Sequence, residues 1–308
     1  MIRIQQAVTD YLELRRALGF KLEREGTLLP EFAVWVDAEG YGHISSDLAL
    51  RWATQEFKAS QRWGAKRLSM VRLFARYYRS IDTLTEVPPA DLLPFKQQRQ
   101  APYIYSDQDI EALLAAAKKI RSSFSAKTHT TLLGLLSATG MRVGEAIALD
   151  RDDVDWVAGV LMVRNAKFGK SRLVPLHTTT LLALRRYSDE RDLEWPTPRS
   201  PSFFVSTRGS RPFYKNVHHV FLRLLDRSGL AERTTPRRPR IHDLRHTFAV
   251  KTVLGWYRTG VDVETRMPRL STYMGHVNPS QTYWYLTATP ELLACAAQRL
   301  QRRWEIHS

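Results

Sequence analysis

The sequence predicts a mainly α protein in two parts, with one small antiparallel β-hairpin or sheet. Three observations carry this. Apolar residues recur at helical intervals along most of the chain. A proline-broken stretch at 87–102 interrupts that pattern, and two short strand-like runs, Val160-Leu-Met-Val163 and Arg172-Leu-Val-Pro-Leu176, flank a loop. The division places a helical domain at 1–95, a linker at 96–105 and a larger domain at 106–308.

Taken in order, Ile4, Val8, Tyr11, Leu12, Leu14 and Leu18 give a first helix up to Gly19. A second occupies 28–38 and stops at Gly40-Tyr-Gly42. Ser46-Asp47 reads as the cap of a third helix, through Leu50, Trp52 and Phe57. The stretch 58–79 is the fourth, with Leu68, Val71, Phe74, Ala75 and Tyr78 as its apolar stripe. It carries seven Lys/Arg residues and no acid. A charge run is ordinarily a solvated face, but one-signed charge interleaved with aromatics suits a DNA backbone better. Lys58, Arg62, Lys66, Arg67 and Arg72 are therefore candidate DNA contacts, which would supply affinity and register rather than sequence choice.

Beyond the linker, Ser106-Asp-Gln-Asp109 caps an amphipathic helix through Ile110, Leu113, Leu114 and Ala117. A buried helix at 128–136 ends at Thr139-Gly140, and Met141-Arg142 opens the next. The acidic run Asp150-Arg-Asp-Asp-Val-Asp155 lacks the glycine and terminal glutamate of a calcium loop, so it reads as a helix-to-strand turn. The two strands follow, with Lys167-Phe-Gly-Lys170 between them. Further helices are predicted at 178–193, 215–230 and 247–256, with a short apolar segment, Phe203-Phe-Val205. The basic loop at 232–240 brings Arg237, Arg238 and Arg240 just ahead of His242, where their charge would favour a bound phosphate. A last helix spans 290–303.

Composition narrows the function. The 308 residues are 44% hydrophobic and 25% charged, ample for a core. The outlier is a formal net charge of +15, which favours a polyanionic partner, above all double-stranded DNA. No long apolar run or lipidation signal marks a membrane protein, and the N-terminus lacks the apolar core of a secretory signal. The single cysteine, Cys295, leaves no internal disulfide and no cysteine-based metal site. A cytoplasmic, nucleoid-associated protein is expected.

The chemistry concentrates in 241–286. His242-Asp-Leu-Arg245-His246 places three polar side chains on one face of a helix. Leu270-Ser-Thr-Tyr-Met-Gly-His276 follows, then Thr282-Tyr283-Trp284-Tyr285. Arginine forks match phosphate, and a tyrosine attacking phosphorus would form a covalent ester that splits one exchange into two easier steps. Each motif alone has an ordinary reading. The first suits a solvated or salt-bridged helix face, and His242 with His246 suits a zinc pair but lacks the third ligand and the base. Gly275-His276 alone means little, and the third is core or an aromatic contact. Their order and spacing together favour the chemical reading. Further upstream, Thr139-Gly-Met-Arg142-Val-Gly-Glu145 sets Arg142 and Glu145 three apart, on one helical face.

These boxes resemble the active site of the tyrosine recombinases, the phage integrase family, over roughly 106–290. There a His-x-x-Arg pair, a Gly-His pair and a tyrosine nine positions beyond that histidine converge on one DNA phosphate, and 276 plus 9 is 285. The resemblance implies a helical, SAM-like core-binding domain followed by the recombinase catalytic domain. It implies Tyr285 as nucleophile, joined to the 3′ side of the break, and Arg142 and Arg245 on the non-bridging oxygens. Lys167 in the hairpin loop would protonate the 5′ leaving oxygen. His242 would accept the tyrosine proton or bond the phosphate, and His276 would donate to it. Glu145 would orient the site through His242 or a neighbouring arginine, with His246 as support. Tyr283 is the rival nucleophile, but two residues on a helix are about 200° apart and cannot serve one face. No metal or other cofactor is implied, because arginines and a lysine take over charge neutralisation. A homo-tetramer on paired DNA sites is expected, its last helix docked on a neighbouring protomer or on its own domain. The competing functions are a type IB topoisomerase-like relaxing enzyme and a catalytically silent DNA-binding regulator.

Overall fold

A computed structural model of the chain describes residues 4–55, 61–93, 101–164, 171–233, 237–276, 278–287 and 289–305, with 287, 299, 300 and 302–305 described by backbone alone. The chain divides into two units, Met1–Arg99 and Gln100–Ser308.

The first unit contains α1 (Ile4–Ala17), α2 (Glu25–Ala38), α3 (Ser46–Thr54) and α4 (Gln61–Tyr78). The cap of α3 is Ser45, whose hydroxyl accepts from Leu48 N at 3.1 Å, one residue ahead of the predicted pair. That helix ends at Thr54, short of Phe57, which lies outside the described residues. The core is aromatic: Phe32 meets Trp52 edge-on at 5.0 Å and Phe74 stacks on Tyr78 at 5.6 Å, all four fully buried.

The basic run on α4 needs correction at two positions. Arg67 is only 2% exposed, its guanidinium 3.9 Å over the Trp52 ring, so it is part of the core rather than a DNA contact. Arg72 donates from Nε to the Pro88 carbonyl and from Nη2 to the Pro89 carbonyl, both at 2.8 Å, so its fork ties the following segment to the helix. Arg62 and Lys66 are exposed. Lys58 lies outside the described residues.

The second unit begins earlier than the predicted linker allows. Tyr103 and Tyr105 are buried, and Tyr105 N donates to Thr247 Oγ1 at 2.9 Å while its hydroxyl donates to the Arg240 carbonyl at 3.1 Å. α5 (Asp107–Lys118) starts in a capping box of Ser106 and Asp109. α6 (Ser123–Thr139) is capped by Ser122 and closed by Gly140 in the left-handed region, φ 62°. α7 (Val143–Ala148) and a 3-10 turn, Arg151–Asp153, lead into a three-stranded antiparallel sheet. Its strands are β1 (Val154–Asp155), β2 (Val160–Val163) and β3 (Arg172–Pro175), with Val154, Leu161 and Val174 paired across it as one buried row. The predicted hairpin is thus two strands of three. Its loop, with Lys167 and Lys170, lies outside the described residues.

α8 (Thr178–Glu194) and α9 (Tyr214–Arg227) add Leu184, Tyr187, Phe221 and Leu224 to the same buried cluster as Phe203 and Phe204. α10 (Asp243–Arg258), α11 (Val263–Met274), α12 (Ser280–Tyr283), a 3-10 turn at Trp284–Thr287 and α13 (Pro290–Glu305) complete the chain. Two apolar clusters result. Leu244 belongs to the larger one, around Leu132, Leu161 and Phe204, whereas Ala249, Val250 and Val253 join Met267, Tyr285 and Leu292 in the smaller. α10 therefore spans both, and its first turn lies where they meet. α13 docks on its own unit through buried Leu292 and a 2.6 Å ion pair between Glu291 and Arg258. Among the described residues no helix is long and apolar enough to cross a membrane.

Candidate active site

Three helix ends meet at the first turn of α10. The left-handed turn at Gly140 presents its carbonyl to Arg245, which donates from Nη1 at 2.8 Å and, from Nη2, to the Met274 carbonyl at 2.5 Å. Arg245 is buried, 2% exposed. Burial, then the neighbouring Arg142, lower its pKa to about 10, which leaves it cationic at neutral pH. Arg142 precedes α7. Its backbone N donates to Glu145 Oε2 at 3.0 Å, its Nη1 to Glu145 Oε1 at 2.7 Å and its Nη2 to the Gly275 carbonyl at 3.2 Å. Both arginines are thus held by carbonyls at the end of α11, just before His276.

The Glu145 carboxylate pairs with arginines rather than with His242. Arg172, at the start of β3, grips its carboxylate with Nη1 on Oε1 (3.1 Å) and Nη2 on Oε2 (2.8 Å) and reaches the Tyr273 carbonyl with Nε (2.8 Å). Burial alone would raise the Glu145 pKa, but the bonds and charge of Arg172, then those of Arg142, outweigh it and hold the carboxyl at about 2.

The imidazoles are neutral near pH 7. His276 Nδ1 is 2.6 Å from Thr282 Oγ1, and burial, then the charge of Arg245, lower its pKa to about 3. His242 and His246 meet edge-to-face at 4.9 Å, and both are shifted down, by desolvation first. Tyr285 is 2% exposed, with its hydroxyl 3.0 Å from His246 Nδ1 and its ring stacked against His276 at 6.3 Å. The imidazole that meets the phenol is therefore His246, which the sequence reading treats as support, rather than His242. Tyr283 is 41% exposed, against 2% for Tyr285.

Arg142, Glu145, His242, Arg245, His246, His276 and Tyr285 come together. Arg237 is mostly buried, its Nη2 on the fully buried Asp243 carboxylate at 2.7 Å, so it secures the loop ahead of α10. Arg240 shares that carboxylate at 3.3 Å, and Arg238 pairs at the surface with Asp226 at 3.3 Å. Arg172 and Thr282 are the additions. Arg172 reads in sequence as one polar residue of an alternating strand, and nothing near Thr282 signals a histidine partner.

A buried phenol among guanidinium groups and neutral imidazoles defines a phosphoryl-transfer centre of the covalent, tyrosine type. The comparisons carry this to a family. The model of the phage integrase family matches residues 104–291. A protein of Sinorhizobium fredii named as an integrase/recombinase, y4rB, is 44% identical over 99% of this chain and 99% of its own length. The tyrosine recombinase XerC of Chlamydia caviae is 25% identical over 77% of this chain and 71% of its own. Among solved structures, the Tn1549 transposon integrase in complex with transposon right-end DNA superposes with a TM-score of 0.69 at 17% identity, covering 98% of this chain and 99% of that one. At that identity the likeness speaks for the fold. The chain belongs to the phage integrase family of tyrosine recombinases, and it is a DNA breaking-and-rejoining enzyme.

Proposed function

We propose that the chain is a site-specific DNA recombinase in which Tyr285 attacks the scissile phosphate of double-stranded DNA. The observation that carries this reading is the placement of the Tyr285 hydroxyl, 3.0 Å from His246 Nδ1, in the cluster built by Arg142, Arg245 and His276. In the forward step the phenolic oxygen bonds to phosphorus and the bond from phosphorus to the 5′ oxygen breaks. The phenolic proton passes to a neutral imidazole, His246 or His242, and the 5′ oxygen takes a proton from Lys167. Arg142, Arg245 and His276 meet the charge that grows on the non-bridging oxygens. The 3′-phosphotyrosine ester keeps the energy of the broken linkage, so a 5′ hydroxyl from a second duplex can reverse the step without ATP. Four copies on paired sites, in the cytoplasm with the nucleoid, would exchange strands in this way. Exposed Arg62 and Lys66 fit backbone contact, with Arg238 and Arg240 near the site.

The test is covalent capture. A library of nicked duplexes with a random centre, which loses a short 5′ fragment on cleavage and so traps the ester, is incubated with protein, and the adduct is isolated and sequenced. Wild type and Tyr283→Phe form the adduct, Tyr285→Phe forms none, and EDTA leaves the yield unchanged because side-chain cations carry the charge. An adduct that persists in Tyr285→Phe and vanishes in Tyr283→Phe sinks the assignment. Loss of cleavage in EDTA, restored by Mg²⁺, points to metal-dependent hydrolysis.

A further inference from the structure

Arg172 is a third guanidinium at the site, and none of the roles above uses it. We propose that it is a positioning residue for strand cleavage, which clamps Glu145 and so fixes Arg142 against the DNA phosphate. This rests on the reading of Arg142 as a phosphate ligand.

The geometry leads there by elimination of what Glu145 would do alone. The carboxylate is 2.7 Å from Arg142 Nη1, close enough to neutralise the cation and to repel an incoming phosphate. Arg172 covers both carboxylate oxygens from the other side in a forked pair. Two guanidinium groups on one carboxylate leave a net positive charge, and Arg142 is the member that faces outward: its side chain is 27% exposed, against 10% for Arg172 and 8% for Glu145. The third donor of Arg172, on the Tyr273 carbonyl, ties the same fork to the end of α11. Two residues on, the Gly275 carbonyl receives Arg142. One side chain on β3 thus sets the distance between the Arg142 turn and the His276 turn. Gly275 is shaped around it. With φ 65°, a Cβ there would lie 2.8 Å from Arg172 Nη1.

A lysine cannot replace this fork. It would keep the charge but could not hold two carboxylate oxygens and a carbonyl in one plane. A buried ion pair can also be a purely structural device, so the test must separate positioning from folding. Adduct formation is measured in single turnover with Arg172→Ala, Arg172→Lys, Arg142→Ala and the Arg142→Ala/Arg172→Ala double variant. The substrates carry either a phosphate or an uncharged methylphosphonate at the scissile position, and DNA affinity and melting temperature are recorded for each protein. Both Arg172 variants should cleave the phosphate substrate about 100-fold more slowly, the cost of a roughly 1 Å misplacement, with DNA affinity little changed. The double variant should be no slower than Arg142→Ala, because the two residues act as one unit. The methylphosphonate, which lacks the charge that Arg142 meets, should narrow the gap to wild type for Arg172 and Arg142 variants alike. Normal cleavage by folded Arg172→Lys, a double variant whose losses multiply, or no narrowing on methylphosphonate overturns the proposal. If Arg142→Ala itself cleaves normally, the site reading fails instead. Should Arg172→Ala not fold, Arg172→Lys alone decides.

Discussion

Three imidazoles share the site with three guanidinium groups, and that company sets their charge. For His246 and His276 burial comes first and neighbouring positive groups add to it, with pKa values near 3. In the unfolded chain both titrate near 6.5. Between those values the unfolded state binds protons that the folded state refuses, so stability rises with pH through this window and falls as pH drops from about 6.5. Each histidine should contribute up to about 1.4 kcal/mol per pH unit there. Glu145, held near 2, acts with the same sign, but only below the ordinary carboxylate range. Melting temperatures between pH 6.5 and 5 isolate the imidazoles, and His276→Asn should flatten the slope. An unchanged slope in that variant would mean His276 is already protonated in the folded protein. At this scale the sequence was legible in residue type and spacing and illegible in partnership. His242 and His246 share a helix face, so spacing cannot say which meets the phenol; the packing of Trp284, edge-on, and Tyr285, tilted, against His246 decides it. Arg172 sits in a run whose alternation reports which face is buried and nothing about what a polar member grips.

Between elements, the tightest fit is where α6 ends on α10. Gly140 adopts φ 62°, and a Cβ built there would lie 2.5 Å from Phe248 Cδ1 and 2.8 Å from Cγ. Phe248 has little room to yield, since its ring also stacks on Tyr273 at 5.5 Å. Gly140→Ala therefore combines a strained backbone with overpacking, together about 2–3 kcal/mol. It should also shift the carbonyl that receives Arg245 and slow adduct formation. Gly134→Ala is the control within the same helix: nothing lies within 4 Å of its Cβ, and alanine should be neutral or stabilising by about 0.5–1 kcal/mol. Equal melting temperatures for the two variants would show that the α6–α10 contact is loose. The turn itself was legible, because Thr139-Gly140 follows a buried run. α11 was not read as a helix, although Val263, Met267, Leu270 and Met274 repeat at spacings of four, three and four, because Pro268 sits inside it. The same spacing places Arg67 on the stripe of Val71, Phe74 and Tyr78. Counting charge along α4, without asking its phase, is what made Arg67 look like a surface contact.

For the molecule as a whole, the formal net charge of +15 fixes the sign of its partner, but the sum says little about which cations meet it. Several are already spent: Arg67 on Trp52, Arg72 on two carbonyls, Arg237 on Asp243, Arg172 on Glu145. Arg62, Lys66 and Arg76 are exposed on α4, and at 3.6 residues per turn their spacings of four and ten place them on one side of the helix. If this row follows a DNA backbone, each residue releases about one counterion on binding. The logarithm of affinity for a non-cognate duplex should then fall linearly with the logarithm of salt concentration. Arg62→Ala and Lys66→Ala should each reduce that slope by about 0.9 while leaving the stability within about 0.5 kcal/mol of wild type. Arg67→Ala should do the reverse, destabilising the first unit by the loss of a buried contact with Trp52 and leaving the slope unchanged once the folded fraction is accounted for. Should Arg67→Ala lower the slope of a fully folded protein while Arg62→Ala and Lys66→Ala do not, the DNA would have to be met by a different face of α4, and the division between structural and contacting cations would be wrong.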